Sequence, residues 1–531
     1  VTSVPPADDP RPVLRRDEVD ALLERLRARL ADDDFALVAA VVRSYVDVVG
    51  LLEHRRTTLE RLRKLLFGAA TEKTKGLFED AFSALPPEEP EAEPPAAAPR
   101  APRKGHGRRG AAAYAGADRR RVPLAELQAG HCCPDCGRGR LYGNVPPAVL
   151  VRVTGRAPLH ATVWELERLR CNLCLEVRTA VAPPGVGEEK YDAKAAALLG
   201  TLKYGAGMPF HRLEALQDDC RIPLPASTQW EIVRDAAREL TPVFDELRRQ
   251  AAAADVLHQD DTTMPVLERS EDVEGRKGSF TTGLIARHTD GRHRALYVTG
   301  PQHAGENLRD LLEERPADLE PPIQMCDALA ANTPADLKTV VAHCLAHGRR
   351  GFVDAAPRFP AECKHVLERL AEVYAVDAEA AREQLSPAAR LARHQARSRP
   401  VMDALRDWMQ ARFDARQTEP NSSLGEAFTY LLKRWDRFTL FLRQAGAPLD
   451  NNLVERSLKL AVLHRKNAYF YRTLRGAEVG DLFMSLIHTA RLNGVSAFDY
   501  LTAVLEHPDA ARQAPADWMP WNYPPGRAAP A

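Results

Sequence analysis

Val256-Leu-His-Gln-Asp-Asp-Thr-Thr-Met-Pro-Val-Leu267 is a run of apolar and β-branched residues with two adjacent acids at its centre. It reads as a strand. Residues 279–287 and 293–299 read as two more strands, joined across Thr289-Asp290-Gly291, a hairpin turn. A helix over 305–315, a short buried strand over 323–326 and a helix over 334–341 follow. A strand is then expected across 344–353, and a further helix near 360–374. The order βββ-α-β-α-β-α predicts a mixed sheet with helices packed on it, inside a multidomain α+β chain. Strand alternation sends Asp260 and Asp261 to opposite faces, so at most one points into a shared site. Polarity does not settle which, because both faces of the strand mix apolar and polar side chains. Asp327 ends the fourth strand, and Glu455 opens a helix within Asp450-Asn-Asn-Leu-Val-Glu-Arg456. Each acid alone is commonplace. The set is informative.

The 531 residues suit three or four domains. With 45% hydrophobic and 27% charged residues, the composition excludes a wholly disordered or collagen-like chain. The longest apolar stretch, residues 35–52, is interrupted by Arg43 and Asp47 and falls short of a membrane span. No charged-then-apolar leader opens the chain, which predicts a cytosolic location. Nine cysteines, an odd number, do not form a secreted disulfide framework. Net charge is zero, yet residues 100–121 hold eight basic residues and one acid, Asp118. Such local stripes on a neutral chain suit a protein that grips nucleic acid at chosen faces; a merely soluble surface is the plainer reading.

Ahead of the sheet, Val38, Tyr45, Leu52, Leu59 and Leu66 recur every seven residues, broken by Arg55 in the intervening series. That periodicity predicts a dimerising coiled coil within residues 17–85. A Pro-rich and then basic linker, 86–121, carries Arg108 and Arg109, placed to lie along a phosphate backbone or to remain a solvated tail. Cys133-x-x-Cys136 and Cys171-x-x-Cys174 are two chelating pairs with 34 residues between them. Four thiolates complete a closed tetrahedral site, so 122–188 is expected to be a zinc ribbon with structural zinc. Residues 189–250 are helical in pattern, broken at 205–207 and 222–225, with Thr228 and Glu231 spaced as a capping box. They fit either a helix-turn-helix DNA reader or plain scaffolding.

Further stretches carry a resemblance: Leu66-Phe-Gly-Ala-Ala-Thr-Glu-Lys73, Lys104-Gly-His-Gly-Arg108, Lys203-Tyr-Gly-Ala-Gly-Met-Pro-Phe-His-Arg212, Cys344-Leu-Ala-His-Gly-Arg-Arg350, Arg465-Lys-Asn467 and Leu492-Asn-Gly-Val-Ser-Ala-Phe-Asp-Tyr500. With the cysteine pairs, Leu257-His-Gln-Asp-Asp-Thr262 and the Asp450–Arg456 motif, they resemble the DDE transposases of the insertion sequence 66 family over nearly the whole chain. The resemblance implies a ribonuclease H-like catalytic core in two parts, 251–360 and 446–507, around a helical insertion, 361–445, with a tail at 508–531 expected to pack loosely. It places the catalytic, metal-holding acids at Asp260, Asp327 and Glu455, with Asp261 where a second acid usually stands. Family members often carry Gly and Tyr after the second aspartate; here the sequence runs Asp327-Ala-Leu-Ala-Ala-Asn332.

Phosphodiester cleavage needs an activated water or 3′-hydroxyl and a stabilised leaving oxygen, which two metal ions about 3.5–4 Å apart supply. Carboxylate ligands favour magnesium or manganese. Arg456, Lys459, Arg465 and Lys466, on or after the Glu455 helix, are expected to hold DNA phosphates. His347 either touches substrate or packs. The resemblance further implies binding of terminal inverted repeats, cleavage of the ends and their joining to target DNA. Implied partners are DNA, a second copy or a larger synaptic complex, and small accessory proteins, in the cytoplasm at the nucleoid, with no membrane. A domesticated, catalytically silent zinc-dependent DNA-binding protein is the alternative.

Overall fold

The computed structural model describes residues 157–170, 177–186, 189–268, 278–334 and 336–523, with isolated positions 25–27, 35, 38, 129–132, 138 and 140. The coiled-coil arm apart from its helical positions 25–27, 35 and 38, the basic residues Arg108 and Arg109, and the cysteines Cys133, Cys136, Cys171 and Cys174 lie outside the described residues. By internal contact the chain forms two units, Pro86–Thr162 and the rest. In the smaller unit Cys132 and Arg140 form an antiparallel bridge, and Arg140 Nη1 donates to Gly130 O at 2.9 Å.

In the larger unit, the part from Val163 onward opens with a two-stranded antiparallel ribbon, β1 (Arg168–Arg170) and β2 (Val177–Thr179). Three helices follow: α1 (Ala193–Gly200), which runs on into a π-turn over Thr201–Gly205, α2 (Phe210–Asp219) and α3 (Ala226–Ala252). The breaks fall where glycine and proline punctuate the sequence. The expected Thr228–Glu231 box does not cap α3, which starts three residues earlier than such a box would set it, behind Pro225. Instead the wholly buried Gln229 amide donates to Leu224 O and Phe210 O, at 2.9 and 3.1 Å, and ties the α2–α3 turn from inside.

Five strands form the central sheet: β3 (Val256–Thr263), β4 (Phe280–Arg287), β5 (His293–Gly300), β6 (Ile323–Cys326) and β7 (Val340–His343). Their order is β5-β4-β3-β6-β7, antiparallel from β5 to β3 and parallel from β3 to β7. Helix α4 (Ala304–Leu312) connects β5 to β6, and α5 (Leu345–Ala355) follows β7 directly. The helix expected over 334–341 and the strand expected across 344–353 are not what the structure shows. Residues 334–339 form no helix among those described, β7 occupies 340–343, and the segment expected as a strand is α5. Val340-Val-Ala-His343 is short and packed against a parallel neighbour, so it shows no two-residue period and cannot be told from helix by pattern.

The β5 edge is closed by α11 (Leu474–Leu492). Its Asp481, Ser485 and Thr489, four residues apart on one helix face, accept the backbone N–H groups of Thr299, Tyr297 and Ala295 at 2.7, 2.9 and 2.9 Å. A helix side-chain ladder thus replaces a neighbouring strand, and a polar face survives on an otherwise buried helix. Between α5 and α10 (Asn452–Ala468) are inserted α6 (Pro360–Arg382), α7 (Pro387–Asp414), α8 (Ser423–Leu432) and α9 (Trp435–Phe438). They bury Leu367, Leu370, Met402, Phe428 and Phe438 in a core shared with α5, β6 and β7. Two closing helices, α12 (Ala497–Glu506) and α13 (Pro508–Gln513), complete the chain as described. The described part of the expected loose tail, 508–523, packs instead: Ala511, Trp518 and Met519 are buried, Arg512 pairs with Glu239 of α3 at 2.8 Å, and Arg294 lies over the Trp521 ring. Pro and Ala richness concealed these tryptophan anchors. Among the described residues no helix is long and apolar enough to cross a membrane.

Candidate active site

β3 and β6 run parallel in the register Val256↔Ile323 to His258↔Met325. Carrying the same offset two residues further sets Asp327, just after β6, level with Asp260 in the middle of β3. Asp260 pairs across β4 with Gly283, and directly paired residues point to one face. That face is covered by α10. A Cβ on Gly283 would stand 3.0 Å from Leu458 Cδ2 and 3.2 Å from Val454 Cγ2, so the glycine lets α10 settle onto the sheet. Glu455 lies in the first turn of α10.

Asp261 faces the other way. Its Oδ2 lies 2.9 Å from His303 Nδ1 and accepts the Ala304 N–H at 3.3 Å, closing the N-terminus of α4. The two faces of β3 therefore belong to two helices, α10 over Asp260 and α4 over Asp261.

Two asparagines hold the acids in place. Asn451, wholly buried, donates from Nδ2 to Gln259 O at 2.8 Å and turns Oδ1 to His258 Nδ1 at 3.2 Å, so His258 carries its proton on Nδ1. This latches the start of α10 to β3 one residue before Asp260. Asn332, also buried, donates from Nδ2 to Asp327 Oδ1 at 2.5 Å, and Leu329 N–H donates to the same oxygen at 3.1 Å. The Asn332 carbonyl in turn accepts from the buried Gln259 and Gln324 amides at 2.7 and 2.6 Å. The stretch that departs from the usual Gly-Tyr thus serves as a bracket for Asp327. Neither asparagine was singled out by pattern, since a buried amide carries no periodic signal; Asn451 was visible only as a member of the Asp450–Arg456 motif.

Burial, together with the nearby charges of Asp327, Asp261 and Glu455, raises the Asp260 carboxyl to about 7, against the hydrogen bond from Asp261 N–H that lowers it. A divalent cation would offset the repulsion that Asp327 and Glu455 exert on Asp260, although the oxygens of these three acids do not all lie within 4.8 Å of one another. Glu455 Oε1 has no hydrogen-bond partner among the described residues, and His347 Nδ1, at 3.6 Å, is too far to donate to it. Cys344, His347 and Glu455 bring one ligand atom each within 4.8 Å of one another. Burial holds the Cys344 thiol up at about 12, and its sulfur already accepts the Asn451 N–H at 3.2 Å, so the thiol fits the core better than a metal shell.

A folded-state pKa above the unfolded value means that ionising Asp260 destabilises the fold. The penalty is absent below about pH 4, grows through pH 7 and is complete above it. Asp260→Asn is therefore expected to raise stability at pH 8 by on the order of 2–4 kcal/mol and to change little at pH 4. If the acids hold a divalent cation, adding one should raise the melting temperature of the wild type at pH 8 and do much less for the variant. Thermal melts at the two pH values check this, and equal shifts at both would refute it.

The "Transposase IS66 family" model matches residues 189–479, which spans the sheet, the insertion and all three acids. The chain belongs to this transposase family. Among curated proteins, it is 27% identical to the uncharacterized protein y4hP of Sinorhizobium fredii (strain NBRC 101917 / NGR234), over 74% of this chain and 73% of that one. The uncharacterized protein y4jD of the same strain is 34% identical over 34% of this chain and 36% of its own. A third, y4qI, is 23% identical over 62% of each.

Within this transposase the basic residues of α10 divide in two. Arg456, Lys459 and Lys466 are exposed. Arg465 is instead turned back on β3, donating from Nη1 to Thr262 Oγ1 at 3.1 Å, Thr263 Oγ1 at 2.6 Å and Thr263 O. Asn467 Nδ2 donates to Gly207 O at 2.9 Å. Two members of the Arg465-Lys-Asn467 motif therefore fasten the helix, and only Lys466 between them points outward.

Proposed function

We propose that this transposase cuts the terminal inverted repeats of its element and joins the ends to target DNA at Asp260, Asp327 and Glu455. The observation that supports the reading is the placing of these carboxylates within β3, just after β6 and at the start of α10, where burial and then the charges of the other acids raise the proton affinity of Asp260. The β5-β4-β3-β6-β7 order is the one a ribonuclease H-like core would have. Magnesium or manganese held by the three acids would activate the attacking hydroxyl and stabilise the leaving oxygen. Asn332 holds Asp327 Oδ1 in one orientation, so that residue is pre-set for its task. Glu455, whose side chain is partly exposed and whose buried Oε1 makes no hydrogen bond among the described residues, would orient the attacking water or 3′-hydroxyl and accept its proton. Arg456, Lys459 and Lys466 would track the phosphates.

The same reading assigns end recognition and pairing to the N-terminal segments. Cys133, Cys136, Cys171 and Cys174 would hold structural zinc, Arg108 and Arg109 would grip DNA, and the heptad arm would join two copies in a synaptic complex, with accessory proteins, at the nucleoid. If residues 189–250 read bases, the reader is α2, because α3 is committed to packing against α11 and β5.

Purified protein incubated with duplexes of the element's own ends should nick and join DNA with magnesium or manganese and not with EDTA. Calcium should support binding alone. Binding without any cleavage, with accessory proteins supplied, would overturn the catalytic reading.

A further inference from the structure

α10 ends in an unusual turn. Tyr469 has φ 68° and ψ −43°, and Phe470 N–H donates back to Ala468 O at 2.9 Å, a three-residue turn that a bulky residue adopts only under strain. Strain of this kind persists where the surroundings over-determine it. Here they do. Tyr469 N–H donates to Arg465 O at 2.8 Å, Arg465 and Asn467 are tied to β3 and Gly207, and Tyr471, just after Phe470, joins the chain beyond β3 through Pro265 and Leu267 and stacks on His464 at 4.5 Å.

What this bracing presents is two aromatic rings in solvent: Tyr469 is 66% exposed and Phe470 43%. Exposed aromatics on a strained, rigid support are not explained by the core. They are flanked by cations, with Lys466 and Arg472 exposed on either side and Lys459 further along α10. Among the described residues, Glu268 accepts from the α11 N-terminus and Glu478 pairs with Arg475. Cations beside aromatic faces are the chemistry of a nucleic-acid strand whose bases are unstacked: phosphates meet the charges and a base meets the rings.

We propose that Tyr469 and Phe470 form a stacking platform for an unstacked base of the DNA held at the active site. The proposal rests on the reading of this transposase as acting on DNA ends. Fourteen residues of helix separate Tyr469 from Glu455, about 21 Å. At about 3.4 Å per nucleotide, the base received lies roughly six positions from the scissile phosphate.

The test uses the full-length protein with calcium in place of magnesium, on end duplexes carrying 2-aminopurine at each of positions three to nine from the cleavage point. Wild type should change the fluorescence at one or two adjacent positions near the sixth. Tyr469→Ala with Phe470→Ala should abolish that local change and weaken binding about 5- to 150-fold. Tyr469→Trp should retain both. Tyr469→Gly relieves the backbone strain, so it should melt no lower than wild type while still losing affinity, an outcome a purely structural role would not produce. Lys466→Gln should weaken binding and shorten its salt dependence without moving the fluorescent position. Unchanged fluorescence and affinity in the double alanine variant would overturn the platform and leave the catalytic reading intact. A platform signature in a protein that never cleaves with magnesium would do the reverse, and a wild type that binds no DNA would overturn both.

Discussion

Asp260→Asn, Asp327→Asn and Glu455→Gln each lower DNA cleavage and strand transfer by about 10³-fold or more, equivalent to about 4 kcal/mol of barrier, while DNA binding in calcium is retained. The amides keep shape and hydrogen-bonding capacity and remove the charge that would hold the cations, so the loss should fall on chemistry. Asp261→Asn provides the contrast. Its carboxylate is spent on His303 and the first turn of α4, on the opposite face of β3, so its removal costs about 1 kcal/mol of stability and less than about tenfold in rate. Gel assays of end cleavage and joining, run beside a binding assay, decide it. Full activity in any of the first three variants, or a dead Asp261→Asn that still folds, would break the assignment of the triad.

The second large effect belongs to a residue with no proposed part in the chemistry. Asn451→Leu is expected to destabilise the fold by about 2–5 kcal/mol, because it strands two buried groups at once, the Gln259 carbonyl and the His258 Nδ1–H, each worth about 1–3 kcal/mol when left unpaired. Burial also pushes His258 down to about 3, so the ring cannot compensate by gaining a proton at neutral pH. In the fraction that remains folded, the start of α10 is no longer latched beside Asp260. A displacement of about 1 Å at Glu455 would cost about 10²-fold in rate. Denaturant unfolding measures the first loss, and cleavage by the folded fraction measures the second. A variant as stable and as active as wild type would show that α10 is seated by its apolar contacts with the sheet alone.

These acids and Asn451 also show how legible the chain is. The acids could be found because they stand in short, recognisable surroundings: a strand centre, a strand end and a helix start after Pro448. The strands β3 to β6 could be read because their apolar runs are bounded by turn residues such as Thr289-Asp290-Gly291. β7 and α5 could not, since a four-residue parallel strand passing straight into a helix has neither a clear period nor a punctuating glycine between the two. Arg465 was readable as a cation and not as a fastener, because its partners, Thr262 and Thr263, lie about 200 residues earlier in the chain. The brackets made by Asn332 and Asn451 depend on contacts of the same long-range kind.

The sequence by itself determined that Asp260 and Asp261 must point to opposite faces, because successive side chains alternate along any strand. It could not determine which acid enters the site. That choice was made by tertiary packing: Gly283 leaves room on one face for Val454 and Leu458, so α10 brings Glu455 to Asp260, while on the other face the open N-terminus of α4 claims Asp261. Alternation is a local property of the backbone. Which face a helix covers depends on shape and unsatisfied polar groups contributed from far along the chain.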